Sequence, residues 1–263
     1  PFSFVTEDTT RSDPETLRAL FRTAISHGAS RIILTDTVGH ATPDGLLNLV
    51  TFTKRLIAET GEDVEIDWHG HNDRGLAITL CLSALEYGVN RVHGTCLGVG
   101  ERVGNAAIDQ ILVNLQLLGI IDRDLRALAT YVEKIAGSYQ VPIPYNYPVF
   151  GRDAYRTATG VHASAIVKAM SAERPDFADR VYSSVPAGDF GCRQIIEVGY
   201  CSGRANVQYW LKERDLEVTD SRVQAILEFA KRGNMVLSTA EICRCLLDHE
   251  LIDRAEADRV IAM

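Results

Sequence analysis

Between Phe2 and Leu118 the chain repeats one plan four times: a short apolar or mixed run, a polar cluster at its end, then an amphipathic stretch. The runs cover residues 2–5, 31–34, 64–71 and 91–96. They end on Thr6-Glu7-Asp8, Thr35-Asp36-Thr37, His69-Gly70-His71 and a glycine-rich loop. The stretches between them read as helices. Asp13 is an N-cap with Pro14 behind it, and Leu17, Leu20, Phe21, Ala24 and Ile25 share one face up to Gly28. Thr42 and Pro43 open a second helix that presents Leu46, Leu47, Val50, Leu56 and Ile57, and residues 76–87 and 106–118 supply two more. Four strand-helix units in succession predict parallel strands joined by right-handed crossovers.

Polar residues after every strand fit a (β/α) barrel, in which chemistry collects at the C-terminal strand ends. A doubly wound open sheet is the alternative, although it binds at a single switch point. A closed eight-stranded barrel takes about 250 residues, and here only the first part of the chain repeats. The expected architecture is therefore the C-terminal half of a (β/α)8 TIM barrel over residues 1–120, followed by mainly helical subdomains. A linker helix and connector fill 121–150, and the helical subdomains fill 151–263, with helices near 157–172, 206–214, 221–231 and 238–247 and a short strand at 194–198. The chain starts without an initiator Met, and the first half of the barrel is expected to be missing from this sequence or supplied by another chain.

The 263 residues carry a formal charge of −8 with a pI near 5.4, which leaves no basic stripe for nucleic acid. No apolar run approaches a membrane span, so no membrane partner is expected and a cytoplasmic setting is the default. The six cysteines show no CxxC pair, which favours reduced thiols.

The third unit holds the densest chemistry. His69 and His71 are two apart on a strand, so both side chains point to one face, toward the barrel interior. Two imidazoles suit a borderline divalent metal, and a hydrogen-bonded polar cluster at a strand end is the plainer account. Asn72 and Asp73 either orient the imidazoles or cap the next helix. Asn105 follows the loop Gly98-Val99-Gly100-Glu101-Arg102-Val103-Gly104, where its amide oxygen can approach the same ion or cap a helix. Two His and one amide leave an ion undercharged, so a carboxylate ligand is expected and none is evident. Arg102 pairs with Glu101 to fix its loop or meets the phosphates of a ligand. Asp36 is expected to orient its loop, and Ser202 to cap a helix. His27, His40, His93 and His249 carry no comparable spacing.

Several spaced motifs resemble one family. Phe2 to Asp13 reads FSFVTEDTTRSD, 35–43 reads TDTVGHATP, 69–75 reads HGHNDRG and 98–106 reads GVGERVGNA; GVH at 160–162 and YCSGRANV at 200–207 follow. Together these resemble the 2-isopropylmalate synthase branch of the metal-dependent acyl-CoA condensing enzymes. The resemblance implies a TIM barrel with helical subdomains, a homodimer, a divalent metal (Mg, Mn or Zn), and condensation of acetyl-CoA with a 2-oxo acid. 2-Oxoisovalerate is the first choice, citramalate synthase with pyruvate the closest rival, and a homocitrate synthase-like enzyme or a non-catalytic half-barrel partner the further ones. By motif, His69 and His71 resemble the metal ligands and Asn105 a further contact. Thr37 resembles the residue that bonds the 2-oxo acid carboxylate, Glu7 the active-site acid, and His162 the catalytic histidine of the helical subdomain. The family's metal-binding Asp and its neighbouring Arg lie in a TLRDG-type motif that has no counterpart here.

Overall fold

A computed structural model describes residues 2–172 and 175–263, which form two compact units. The first comprises residues up to Arg123 together with Tyr131–Pro142; the second comprises Asp124–Thr130 and Ile143–Met263. Among the described residues no helix is long and apolar enough to cross a membrane.

In the first unit the elements run β1 (Phe2–Val5), α1 (Pro14–Ser26), β2 (Ala29–Asp36), α2 (Pro43–Thr60), β3 (Glu65–Gly70), α3 (Ala77–Glu86), β4 (Arg91–Val92) and α4 (Ile108–Leu117). The four strands pair in parallel in the order β1-β2-β3-β4. Spatial order that follows chain order distinguishes the two sequence alternatives. A doubly wound sheet reverses direction at a switch point, whereas a barrel wall keeps adding strands on one side. This sheet keeps adding, and it is an arc of a barrel.

The helices start where their caps say. The Asp13 carboxylate accepts from the Thr16 amide at 2.9 Å and the Thr42 hydroxyl from the Gly45 amide at 3.2 Å, each with proline just inside the helix. Alternation then divides the strands between two faces. Ile32, Leu34, Ile66 and Trp68 are buried with Leu17, Phe21, Leu46, Val50, Leu56 and Leu80 from the helices. The interleaved residues Arg31, Thr35, Asp67, His69 and His71 occupy the opposite face. Leu20 and Leu47, expected on the buried stripes, are 42% and 41% exposed at the stripe edges.

Three boundaries differ from expectation. β4 stops at Val92, because the chain leaves the ladder and Thr95 pairs instead with Ala107, stitching the loop ahead of α4. α5 (Leu128–Tyr139) begins later than residue 122, so residues 121–150 are shared between the two units. Residues expected to open a helix at Thr157 form β5 (Arg156–Thr157), which pairs in parallel with β6 (Ile195–Ile196).

The rest of the second unit is helical: α6 (Gly160–Ser171), α7 (Pro175–Arg180), α8 (Arg204–Lys212), α9 (Asp220–Lys231), α10 (Thr239–Asp248) and α11 (Arg254–Ala262). Val207, Trp210, Leu211, Val223, Ile226, Ile242, Leu246 and Val260 from the last four make one core. α11 was not among the expected helices, although Asp253 and Glu256 form a capping box that advertises it. Ser202 is not a helix cap: Gly203 holds that position, and the Ser202 hydroxyl accepts from the Gly199 amide at 2.9 Å and donates to the Ala158 carbonyl at 2.6 Å. Asn206, fully buried, donates to the Ala158 and Glu197 carbonyls and so ties β5 and β6 to α8.

Burial sorts the thiols. Desolvation pushes Cys81 up to about 12 and Cys96 up to about 11, and raises Cys243 and Cys245 as well, whereas Cys201 is exposed. A disulfide-exchange reagent at pH 8 is expected to label Cys201 first and Cys192 more slowly, and the other four only after denaturation. Peptide mapping of the labelled protein checks this, and rapid native labelling of Cys81 would contradict the packing.

Candidate active site

The ladder between β2 and β3 builds the site from its backbone outward. Thr35 lies opposite His69 and Asp36 opposite Gly70, and the pairing continues past the strands with the His71 amide donating to the Asp36 carbonyl at 3.1 Å. On the other side His71 bridges to Asn105, and the Asn72 amide donates to the Gly104 carbonyl at 3.0 Å. Three loops, after β2, after β3 and before α4, are thereby drawn to one point.

His69 and His71 meet there with ring centroids 5.3 Å apart and planes nearly perpendicular. Burial, followed by the neighbouring His71 and His93, lowers the pKa of His69, so its imidazole is held neutral, the form that binds metals. His71 Nδ1 is buried with no partner among the described residues. An orphaned buried nitrogen costs about 1–3 kcal/mol unless something supplies its missing interaction. Asn105 donates its amide nitrogen to the Val99 carbonyl at 3.2 Å, which leaves the carboxamide oxygen as its open ligating atom.

The glycines around Asn105 are required by space. A side chain at Gly100 would fall on the Asn105 carboxamide, and one at Gly104, where φ is +91°, would fall on the Gly98 carbonyl. The fully buried Asp109 accepts from the Leu97 amide at 2.7 Å and holds the loop from behind.

Arg102 meets a partner that sequence spacing does not reveal. Its Nε and Nη2 fork onto the two Asp73 oxygens at 2.9 and 3.1 Å, and Nη2 also donates to the Thr37 carbonyl at 2.6 Å. Glu101 is 3.7 Å away, so the expected neighbour pair is the weaker contact. The Arg102 fork holds the Asp73 carboxyl below its usual range. Leu76 holds the N-cap position of α3, and Asn72 supports the helix start from outside by accepting from the Ala77 amide at 3.2 Å. Asp36 accepts from the His40 and Ala41 amides, both at 3.0 Å, and shapes its loop as expected.

Thr37 lies beside this cluster, its Oγ accepting from the Asp8 amide at 2.8 Å. Glu7 is exposed just beyond β1. His162 belongs to the second unit, exposed in the first turn of α6, with its ring stacked on Tyr182 at 4.0 Å. The structure thus gathers His69, His71, Asn105, Thr37 and Arg102 within one unit, and His162 stands in the other.

Two members of the site went unread in the sequence. Asp67, 1% exposed, accepts from Arg31 at 2.6 Å and from His93 Nε2 at 3.1 Å. His93 in turn sets its ring 5.7 Å from that of His69. One further step of the alternation that joins His69 to His71 reaches Asp67, and this was the available signal. His93 follows from the β3–β4 register, in which Trp68 faces Val92 and the next step sets residue 93 beside His69; its place near a strand end was the signal available.

A metal held here would take His69, His71 and the Asn105 oxygen. The lowered pKa of His69 and the orphaned His71 Nδ1 fit it, and the three donors would form one flank of a coordination sphere. Among the described residues no group of three or more His, Cys, Asp and Glu side chains is arranged to hold an ion. Removing the Asp67 carboxylate would leave Arg31 without its buried partner. Asp67→Ala is expected to cost about 3–5 kcal/mol in denaturant unfolding, and a loss under 1 kcal/mol would show the pair to be incidental.

The HMGL-like family profile matches residues 2–133. A probable 2-isopropylmalate synthase from Methanopyrus kandleri is 32% identical over 235 residues, 87% of this chain and 43% of the relative. A putative (R)-citramalate synthase from the same organism is 33% identical over 232 residues, 86% of this chain and 43% of the relative. Among solved structures, an HMG-CoA lyase from Bacillus subtilis superposes with a TM-score of 0.47 at 23% identity, covering 55% of this chain and 51% of the other. The chain spans less than half the length of either of these curated relatives. With that profile over half its length, across all four strands and the loops that converge on His69 and His71, the chain belongs to the HMGL-like family.

Proposed function

We propose that this chain supplies the histidine-bearing part of an enzyme that condenses acetyl-CoA with a 2-oxo acid, 2-oxoisovalerate being the preferred one, to give 2-isopropylmalate and CoA. The observation that carries the reading is the His69–His71 pair, with the orphaned His71 Nδ1, beside the Asn105 carboxamide. His69, His71 and Asn105 would hold a divalent cation. When bound, such a cation supplies Lewis-acid polarisation of the keto group, a contribution of several kcal/mol in enzymes of this kind.

The remaining roles fall to the chain's own side chains. The Thr37 hydroxyl accepts from the Asp8 amide, and its own hydrogen has only a 3.5 Å contact with Thr35 Oγ, so it can donate to a substrate carboxylate. A base must take a proton from the acetyl methyl carbon. Glu7, exposed at the end of β1, and His162 are the two candidates, and the proton passes to the Glu7 carboxylate or to the His162 imidazole. Hydrolysis of the product thioester then frees CoA. Arg102, engaged with Asp73 and the Thr37 carbonyl, acts first as the strap that fixes Thr37, and a contact with CoA phosphate would use the edge of its guanidinium facing Glu101. A cytoplasmic homodimer belongs to the same proposal.

A second reading, citramalate synthesis from pyruvate, is favoured by the 33% identical relative of that name, which matches nearly the same span. The deciding assay follows free thiol release from acetyl-CoA by the full-length protein with 2-oxoisovalerate, pyruvate or 2-oxoglutarate, before and after metal chelation. Metal-dependent release with one of these acids is expected, and its identity selects the reading. Absence of release with every acid, with metal restored, rejects condensation. His71→Ala is expected to lower metal-dependent turnover at least about 100-fold and to weaken metal binding while leaving the circular dichroism spectrum unchanged; unchanged metal affinity would remove His71 from the ligand set.

A further inference from the structure

The second unit contains a cavity of about 620 Å³, within the usual range for a small-molecule site. Its wall includes three guanidiniums, Arg152, Arg156 and Arg214, and three aromatic rings, Tyr145, Tyr200 and Trp210. Arg156 and Arg214 also face an adjacent cavity of about 440 Å³, where Arg193 joins them. Such a concentration of positive charge is unexpected in a chain whose net charge is −8.

The acids nearby neutralise only part of it. Arg156 pairs with Glu197, and its Nε donates to the Arg152 carbonyl at 2.8 Å. Neither Arg152 nor Arg214 forms a carboxylate ion pair among the described residues. Arg214 is the more telling of the two. It follows the C-terminal turn of α8, donates to the Trp210 carbonyl at 3.2 Å and lies over the Trp210 ring at 4.2 Å. Those contacts fix its direction. The neighbouring Glu213 acts on it from the adjacent cavity without forming an ion pair, so among the described residues no carboxylate closes the remaining donors of the fork. The helix C-terminus compensates part of the charge, yet the guanidinium still lies in surroundings that disfavour it.

A guanidinium held over an indole can take an oxyanion through two parallel hydrogen bonds from its free edge. Tyr145 and Tyr200 are each about half exposed, at 56% and 52%, and offer faces on which a ring can stack. We propose that this cavity binds a nucleoside diphosphate group, its phosphates on Arg214 and Arg152 and its base against Tyr145 or Tyr200. Free nucleotides and the nucleotide end of coenzyme A share that chemistry. The inference does not rest on the condensation reading, because every residue in it belongs to the second unit.

Trp210 reports on the site directly. The chain has two tryptophans, and the other, Trp68, is fully buried in the first unit. The experiment titrates the full-length protein and its Trp210→Phe variant with ADP, with coenzyme A and with inorganic phosphate, following heat and the emission of Trp210, taken as the difference between the two proteins. Saturable binding of ADP or coenzyme A is expected, with a matching change in emission and competition by inorganic phosphate. Arg214→Gln should weaken it about tenfold or more and Arg214→Lys by less. Binding of ADP that Arg214→Gln weakens assigns the site to free nucleotides; binding of coenzyme A alone that Arg214→Gln weakens assigns it to the thioester carrier. If neither titrates the protein, or if Arg214→Gln with an unchanged circular dichroism spectrum binds as tightly as the parent, the proposal is overturned. Because the readout needs no turnover, a protein that binds ADP here without releasing thiol would separate this inference from the condensation reading.

Discussion

The ladder between β2 and β3 is the constraint from which the rest of the first unit follows. Its parallel register sets Thr35 opposite His69, and it continues through the His71 amide and the Asp36 carbonyl after the strands themselves have ended. Strand geometry sends alternate residues to opposite faces. One register therefore performs two tasks: it buries Ile32, Leu34, Ile66 and Trp68 against the helices and aligns Asp67, His69 and His71 on the other face. A slip of one residue would put the imidazoles into the hydrophobic layer and Trp68 into the site. The same pairing energy thus maintains both the core and the chemistry.

What the ladder aligns, the loops make compact. The glycines at 98, 100 and 104 let the backbone fold closely around Asn105, and Arg102 spans from that loop to Asp73 and to the Thr37 carbonyl. Each connection joins segments far apart in sequence. Together they give the donors fixed directions, which a ligand-binding constellation needs from the groups around it. Asp67 works one layer below, holding Arg31 and His93 while His93 stands beside His69. The second unit uses buried polar side chains in a similar way, with Asn206 and Ser202 joining its small sheet to α8.

The sequence by itself determined the elements whose signals are local. Asp13-Pro14 and Thr42-Pro43 mark helix starts because a capping side chain and a proline act within one turn, and the two-residue spacing of His69 and His71 fixes a shared face once the segment is a strand. The four strand-helix units and the family resemblance were legible for the same reason. Tertiary structure alone decided that Arg102 would fork onto Asp73, 29 positions away, in preference to its neighbour Glu101. It also decided the β3–β4 register, with Trp68 opposite Val92, that sets His93 beside His69, and that residues 156–157 would become a strand by pairing with 195–196. These outcomes depend on partners brought together by packing. A guanidinium or a two-residue strand has no preference of its own strong enough to be read before its partner arrives.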